Sequence, residues 1–174
     1  MSEHPIHVTN NERTFEQHEI IVSKTDTKGR ITYANSVFQR VGLYTESELK
    51  NQPHNILRHP DMPRCVFKLL WETIQSGQEI FAYVKNRAKN GDYYWVFAHV
   101  TPSYDTEGNV VGYHSNRRVP RPEALAVIQP LYAELRTEEN KHANDKTGMQ
   151  AGFDLLAAKL DKAGVSYDEF IHSF

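Results

Sequence analysis

The chain has 174 residues, 39% of them hydrophobic and 24% charged, with a formal net charge of −2; this describes one globular domain of ordinary size with an appendage. The near-neutral charge excludes electrostatic capture by nucleic acid or anionic lipid, and no window approaches the roughly 18 apolar residues that a membrane helix needs. A single cysteine, Cys65, excludes an internal disulfide and a cysteine-cluster metal site.

Residues 1–18 are polar and rich in Asn, Glu and His, which predicts a loosely held lead-in with neither the basic start nor the apolar segment of a secretion signal. His4, His7 and His18 have no compact ligand spacing, so no metal site is expected. Two strands are predicted at 19–24 and 30–34, joined across Asp26-Thr27-Lys28-Gly29. Asn35 then opens a helix, where its simplest role is the N-cap. Thr45-Glu46-Ser47-Glu48 is a capping box that starts a second, short helix ended by Pro53. In the segment 54–63, prolines fix the path of the chain, so Arg58, His59 and Asp61 sit on a rigid connection. Such a cluster can grip a phosphate or ribose; equally, Arg58 and Asp61 can pair locally while Asp61 caps the following helix. That helix, at 64–75, carries Val66, Phe67, Leu70, Trp71 and Ile74 at helical spacing and stops at Gly77. Trp71 is a packing residue placed over whatever the sheet encloses.

Residues 78–102 hold two aromatic and β-branched runs joined across Lys89-Asn90-Gly91-Asp92, the pattern of a hairpin with a tight primed turn. Alternation puts Val84, Asn86 and Ala88 on one face and Tyr83, Lys85 and Arg87 on the other. An amide aimed into the interior at Asn86 asks for a partner, because an unpaired buried amide is costly. The last strand is predicted at 110–118, after a turn at 104–109. The order of two strands, short helices and three strands favours an α+β fold, an antiparallel sheet with helices gathered on one face. Beyond it, 120–136 reads as an output helix that Pro130 should kink or restart, 137–148 as a polar linker, and 149–174 as a C-terminal helical segment with a capping box at Ser166-Tyr167-Asp168-Glu169. A helical pair on a linker cannot build its own large core, so it should dock on the sheet, on a second copy in a homodimer, or on a partner.

The opening Gly-Arg-Ile-Thr-Tyr-Ala-Asn at 29–35 and Lys-Asn-Arg-Ala-Lys-Asn-Gly-Asp-Tyr-Tyr-Trp at 85–95 resemble a PAS domain, here spanning 19–119. Gln-Pro-His-Asn-Ile-Leu-Arg-His-Pro-Asp-Met-Pro at 52–63 resembles the FAD-holding PAS sensors of the aerotaxis-receptor type, and the chain looks most like the stand-alone PAS proteins of bipartite energy-taxis systems. The resemblance implies a five-stranded PAS sheet and a cytoplasmic redox or oxygen sensor that is not an enzyme. It implies a membrane chemoreceptor in trans as partner, with the sensor at the inner face of the membrane. Carried over by position, the FAD-associated residues are Asn35, Arg58, His59, Asp61 and Asn86, supported by Trp71. His114 aligns with a position where photosensory relatives keep an amide beside the ring, and is the candidate responsive side chain; the alternative is a surface strand histidine. Those relatives carry a reactive cysteine in the segment matching Pro53-His54-Asn55, so no cysteinyl adduct is expected. A cofactor-free interaction module and a haem sensor with His59 or His99 as axial ligand are the competing readings.

Overall fold

The computed structural model describes residues 7–174; His4 and the first six residues of the lead-in lie outside them. The strands are β1 (Ile21–Thr25), β2 (Ile31–Ala34), β3 (Ile80–Arg87), β4 (Tyr93–Tyr104) and β5 (Val110–Arg118), forming one antiparallel sheet in the order β2-β1-β5-β4-β3. Between β2 and β3 run α1 (Ser36–Gly42), α2 (Glu46–Leu49), a 3₁₀ turn (His54–Leu57) and α3 (Arg64–Gln75). The α+β expectation holds, and the sequence explains each boundary. Asn35 caps α1 through Phe38 N–H, Thr45 and Glu48 form the capping box of α2, and Gly77 takes a φ of +83° just beyond α3.

The central turn is built differently from the primed turn expected. Gly91 N–H donates to Ala88 O (3.0 Å) and Ala88 N–H to Asp92 O (2.7 Å), and Gly91 has a φ of +95° while Asn90 has no positive φ. This is a type I turn closed by a glycine bulge, which needs one left-handed residue where a primed turn needs two. The lead-in is also better fastened than its polarity suggests. Beyond the end of β5 the start of β4 lacks a neighbour on that side, and residues 9–13 take the place: Thr9 N–H donates to Gly91 O (2.8 Å), Tyr93 N–H to Asn11 O (3.0 Å) and Arg13 N–H to Tyr93 O (2.7 Å). Polar side chains supply the rest, with Thr9 Oγ1 donating to Asp92 (2.6 Å) and Arg13 Nε to Val41 O (2.8 Å).

The C-terminal segment departs most from expectation. α4 (Pro122–Asn140) passes through Pro130 without interruption, and only residues 141–144 separate it from α5 (Asp145–Ala163), so most of the expected linker at 137–148 is helical. A proline inside a helix costs about 3 kcal/mol, whereas α4 buries Ala124, Ile128, Tyr132 and Leu135, each large apolar side chain contributing about 1.5–3 kcal/mol. Burial wins. The helices dock on the protein's own sheet, on the face opposite α1–α3: Trp95 lies against Tyr132 (6.2 Å) and Tyr83 against Phe174 (6.2 Å). From there α4–α6 reach around the edge strand. Tyr132 Oη donates to Tyr83 O (2.7 Å), Tyr167 Oη, from α6 (Tyr167–Ile171), to Phe81 O (2.9 Å), and Lys85 N–H donates to Met62 Sδ (3.2 Å).

A carboxylate closes the arrangement. Pro63 caps α3 without a side-chain hydrogen bond, and Glu139 of α4, itself buried, accepts from Arg64 N–H (3.0 Å) and Cys65 N–H (2.8 Å). Asp61, for which capping this helix was one of two readings, instead pairs with Lys85 (2.7 Å) and Arg136 (3.1 Å). Removing Glu139 strips the acceptor from two buried amides. Glu139→Ala is therefore expected to lower unfolding free energy by about 2 kcal/mol in denaturant titration, and Glu139→Gln, which keeps one acceptor, by clearly less.

Candidate functional site

Period-2 alternation turns one set of side chains into the space between sheet and helices. From β1 these are Ser23 and Thr25, from β5 Tyr113, Ser115 and Arg117, from β4 Ala98 and Val100, and from β3 Val84 and Asn86. The cross-strand pairs Ser23↔Ser115, Thr25↔Tyr113, Val100↔Ser115 and Ala98↔Arg117 hold them in one layer. Phe67, Leu70, Trp71 and Ile74 of α3 form the opposite wall, and Pro53, His54, Asn55 and Arg58 close one side. The cavity, open to solvent on one side, has a volume of about 210 Å³. Trp71 meets Tyr113 edge to face at 5.7 Å and crosses Gly29, where a Cβ would lie 2.7 Å from the indole.

The electrostatics are one-sided. Lys28, Arg58 and Arg117 line the cavity, and among the described residues no carboxylate does. Arg117 is 2% exposed; Nη2 donates to Ser23 Oγ and the guanidinium lies 4.7 Å from the Phe38 ring, while Nε and Nη1 have no partner. Burial lowers its pKa to about 10, so it stays a cation at neutral pH. Arg58 sits 3.9 Å from the Phe67 ring with Nε unpartnered. Asn86, 5% exposed, presents its amide to the cavity without a side-chain hydrogen bond to any described residue. His54 Nε2 lies 3.1 Å from Ser23 Oγ, and burial and then Arg117 push the imidazole down to about 3, leaving it neutral. Tyr94, just behind Arg117, is buried with an unpartnered hydroxyl, and burial raises it to about 12.

The structure thus brings together three of the predicted residues, Arg58, Trp71 and Asn86, and separates the other four from the cavity. Asn35 is spent on the chain itself: Oδ1 accepts from Val22 N–H (3.0 Å) and Phe38 N–H (3.0 Å), and Nδ2 donates to Ile20 O (2.8 Å). Asp61 is on the surface with its two cations. His59 faces a neighbouring cleft, its Nδ1 accepting from Asp61 N–H (3.1 Å). His114 is on the far face of β5, where Nε2 meets Asn116 (3.2 Å), because parity with Tyr113, Ser115 and Arg117 turns it away. His99 is also on that face, stacked on Phe81 at 4.1 Å and paired with Glu79 (2.6 Å), so neither proposed haem ligand reaches the cavity. Sequence reasoning missed Arg117, His54 and Ser23. Counting alternate residues back from Arg117 through Ser115 to Tyr113 is the signal that finds the first.

His54 makes stability depend on pH. The unfolded imidazole protonates near its ordinary 6.5 and the folded one only near 3, so below pH 6.5 the unfolded state binds more protons and stability falls as pH falls. At pH 5 the loss is on the order of 1–2 kcal/mol relative to pH 7, and His54→Asn should remove most of that difference in paired denaturant titrations.

Residues 31–117, half of the chain, match a family model described as the PAS fold. The aerotaxis receptor of Escherichia coli strain K12 is 42% identical over 145 residues, which make up 82% of this chain and 28% of that protein. The nitrogen fixation regulatory protein of Klebsiella pneumoniae is 31% identical over 103 residues, 59% of this chain and 21% of that protein. The chain spans under a third of the curated relatives it matches. Among solved structures, the dark state of the blue-light photoreceptor Aureochrome1 LOV superposes with a TM-score of 0.55 at 21% identity, covering 67% of this chain and 84% of that one. A Light-Oxygen-Voltage domain studied with a flavin analogue gives 0.52 at 24% identity, covering 71% and 87%. At these identities the likeness concerns the fold. The matched segment runs from β2 to the inward-facing arginine of β5, and this chain belongs to the PAS-fold family.

Proposed function

We propose that this chain is a PAS redox or oxygen sensor that holds FAD in the cavity between sheet and α3 and signals to a separate membrane chemoreceptor. The observation that carries this reading is the donor set: Arg58, Asn86 and Arg117 line a cavity that no described carboxylate enters and that α3 walls with apolar side chains, and Nε of Arg58 and Nε and Nη1 of Arg117 are without partners. A flavin ring system has that complement, apolar faces with a rim of carbonyl and ring-nitrogen acceptors. The relatives support the choice, since one is an aerotaxis receptor and a structural neighbour was studied with a flavin analogue. Arg58 and Arg117 would hold the acceptor rim, Asn86 would donate from the sheet, and Trp71 would cover the cavity mouth.

When bound, the flavin supplies reversible electron transfer coupled to proton uptake. The chain's own part is to hold a positive field and place a side chain that responds to a change of charge. His54 takes the role expected of His114: it is neutral and lines the cavity, and Nε2 is held by Ser23 Oγ, which also accepts from Arg117. A change of charge in the cavity therefore acts first on a linked His54–Ser23–Arg117 set spanning β1, β5 and the 3₁₀ turn. The aerotaxis receptor shares 28% of its length with this chain, and a receptor lacking that part is the proposed partner in trans, with the sensor at the cytoplasmic face of the membrane. No helix of the described residues is long and apolar enough to cross a membrane.

The purified chain should be yellow and release a cofactor with the mass of FAD. Arg58→Met and Asn86→Ala should each lower FAD affinity about tenfold or more, because each removes a buried donor. A folded, colourless protein that takes up no added flavin sinks the sensor reading in favour of the interaction module.

A further inference from the structure

The three cations that line the cavity are not equivalent. Lys28 is exposed on the turn between β1 and β2, where water and salt screen it. Arg58 is partly exposed, lies over the Phe67 ring, and also borders the neighbouring cleft, which α4 walls on its other side. Of the three, only Arg117 is fully buried, held on the sheet side of the cavity between the Phe38 ring and Ser23 Oγ. Its surroundings carry dipoles and no opposite charge. Ser23 and Tyr94 offer hydroxyls, His54 is neutral, and no carboxylate among the described residues acts on the guanidinium. Asp26, on the nearby turn, is committed to Lys28 N–H and Arg30 N–H (2.9 Å each). Nε and Nη1 of Arg117 are covered by the chain itself, so what reaches an occupant of the cavity is the field of the charge. That field is stronger than the field of a solvated surface cation, because little water lies between to weaken it.

A fixed field discriminates between redox states. The oxidised ring of a flavin is neutral, and each electron passed to it from a reduced carrier adds one negative charge unless a proton accompanies it. We propose that Arg117 sets the reduction potential of the ring held in this cavity, by binding its reduced form more tightly than its oxidised form. The two affinities and the potential are linked, since a ring bound more tightly when reduced is by the same free energy easier to reduce. With the charge in place, a weaker reductant fills the site than would do so without it. The ladder fixes the charge from both sides, through Ile21↔Arg117 and Ala98↔Arg117, so it stays put while the ring changes state. The inference rests on the flavin reading and goes beyond it, assigning to one residue the electron pressure at which the sensor switches.

The test is an anaerobic redox titration of the full chain loaded with FAD, using dithionite as reductant and a reference dye, repeated on Arg117→Met, Arg117→Lys and Lys28→Met. Methionine removes a buried charge that has no counter-ion and keeps much of the side chain's length, a change that folds tolerate. Arg117→Met should lower the preference for reduced over oxidised FAD about tenfold or more, a fall in potential of about 30 mV per tenfold for a two-electron couple. Arg117→Lys keeps the charge and should keep most of the preference, although its hydrogen-bond geometry differs. Lys28→Met should shift the potential less, by an amount that fades as salt is added. A potential unchanged in Arg117→Met, lowered equally in Arg117→Lys, or lowered as much in Lys28→Met overturns the assignment and leaves the sensor reading standing. Should Arg117→Met hold no FAD, Arg117→Lys decides: a preference kept supports the assignment and a preference lost overturns it. A parent chain that takes up no FAD in either redox state overturns both.

Discussion

A guanidinium buried without a counter-ion is the constraint around which this molecule is arranged. Placing an ion in a protein interior costs several kcal/mol even after relaxation, and Arg117 offsets that cost only through Ser23 Oγ and the face of Phe38. Two of its nitrogens stay unpartnered, and with Arg58 and Lys28 it gives the cavity a positive field that no acid among the described residues neutralises there. A fold that needed only a filled core would place an aliphatic side chain there. The sheet register delivers the charge to that point, since Arg117 pairs with Ile21 on one side and Ala98 on the other, both small or apolar and unable to answer it. The unmet demand for negative charge is thus a property of the scaffold and not of a mobile loop.

The elements read from sequence and those missed differ in the kind of signal they leave. Asn86 was legible because it sits four residues before Asn90-Gly91, in a strand whose apolar neighbours fix the inward parity. α3 was legible to the residue, having a full apolar stripe and a glycine stop. Arg117 was not, because Asn116-Arg117-Arg118 is polar throughout and only its place in the alternation separates the inward arginine from the outward one. His114 was named from a resemblance alone, and the same alternation places it on the far face. Asn35 shows the opposite case: the N-cap role read from its position is the one it fills, and its amide is fully engaged by its own backbone neighbours.

The C-terminal helices were the least legible part, for a physical reason. Their docking depends on long-range partners: a carboxylate in the polar run Glu138-Glu139-Asn140 caps a helix that begins 75 residues earlier. Nothing local marks Glu139 as buried. Pro130 argues for a break, and only the face that α4 lays on Trp95 and Tyr83 reveals why the helix persists. The result joins the outer face of the sheet, the start of α3 and the cleft wall through one helix, so a disturbance at the cavity has a short mechanical path to the surface. It runs from Phe67 and Trp71 along α3 to the two amides that Glu139 holds.

The hydroxyls of Tyr132 and Tyr167 carry a consequence outside signalling. β3 is an edge strand, and the carbonyls of Phe81 and Tyr83 point away from the sheet, where another chain's amides could add to it. Phenylalanine at both positions would keep nearly all the ring packing and leave those carbonyls covered without a donor. The helices that shield this edge from another chain also have to answer its backbone, and two phenolic oxygens do so.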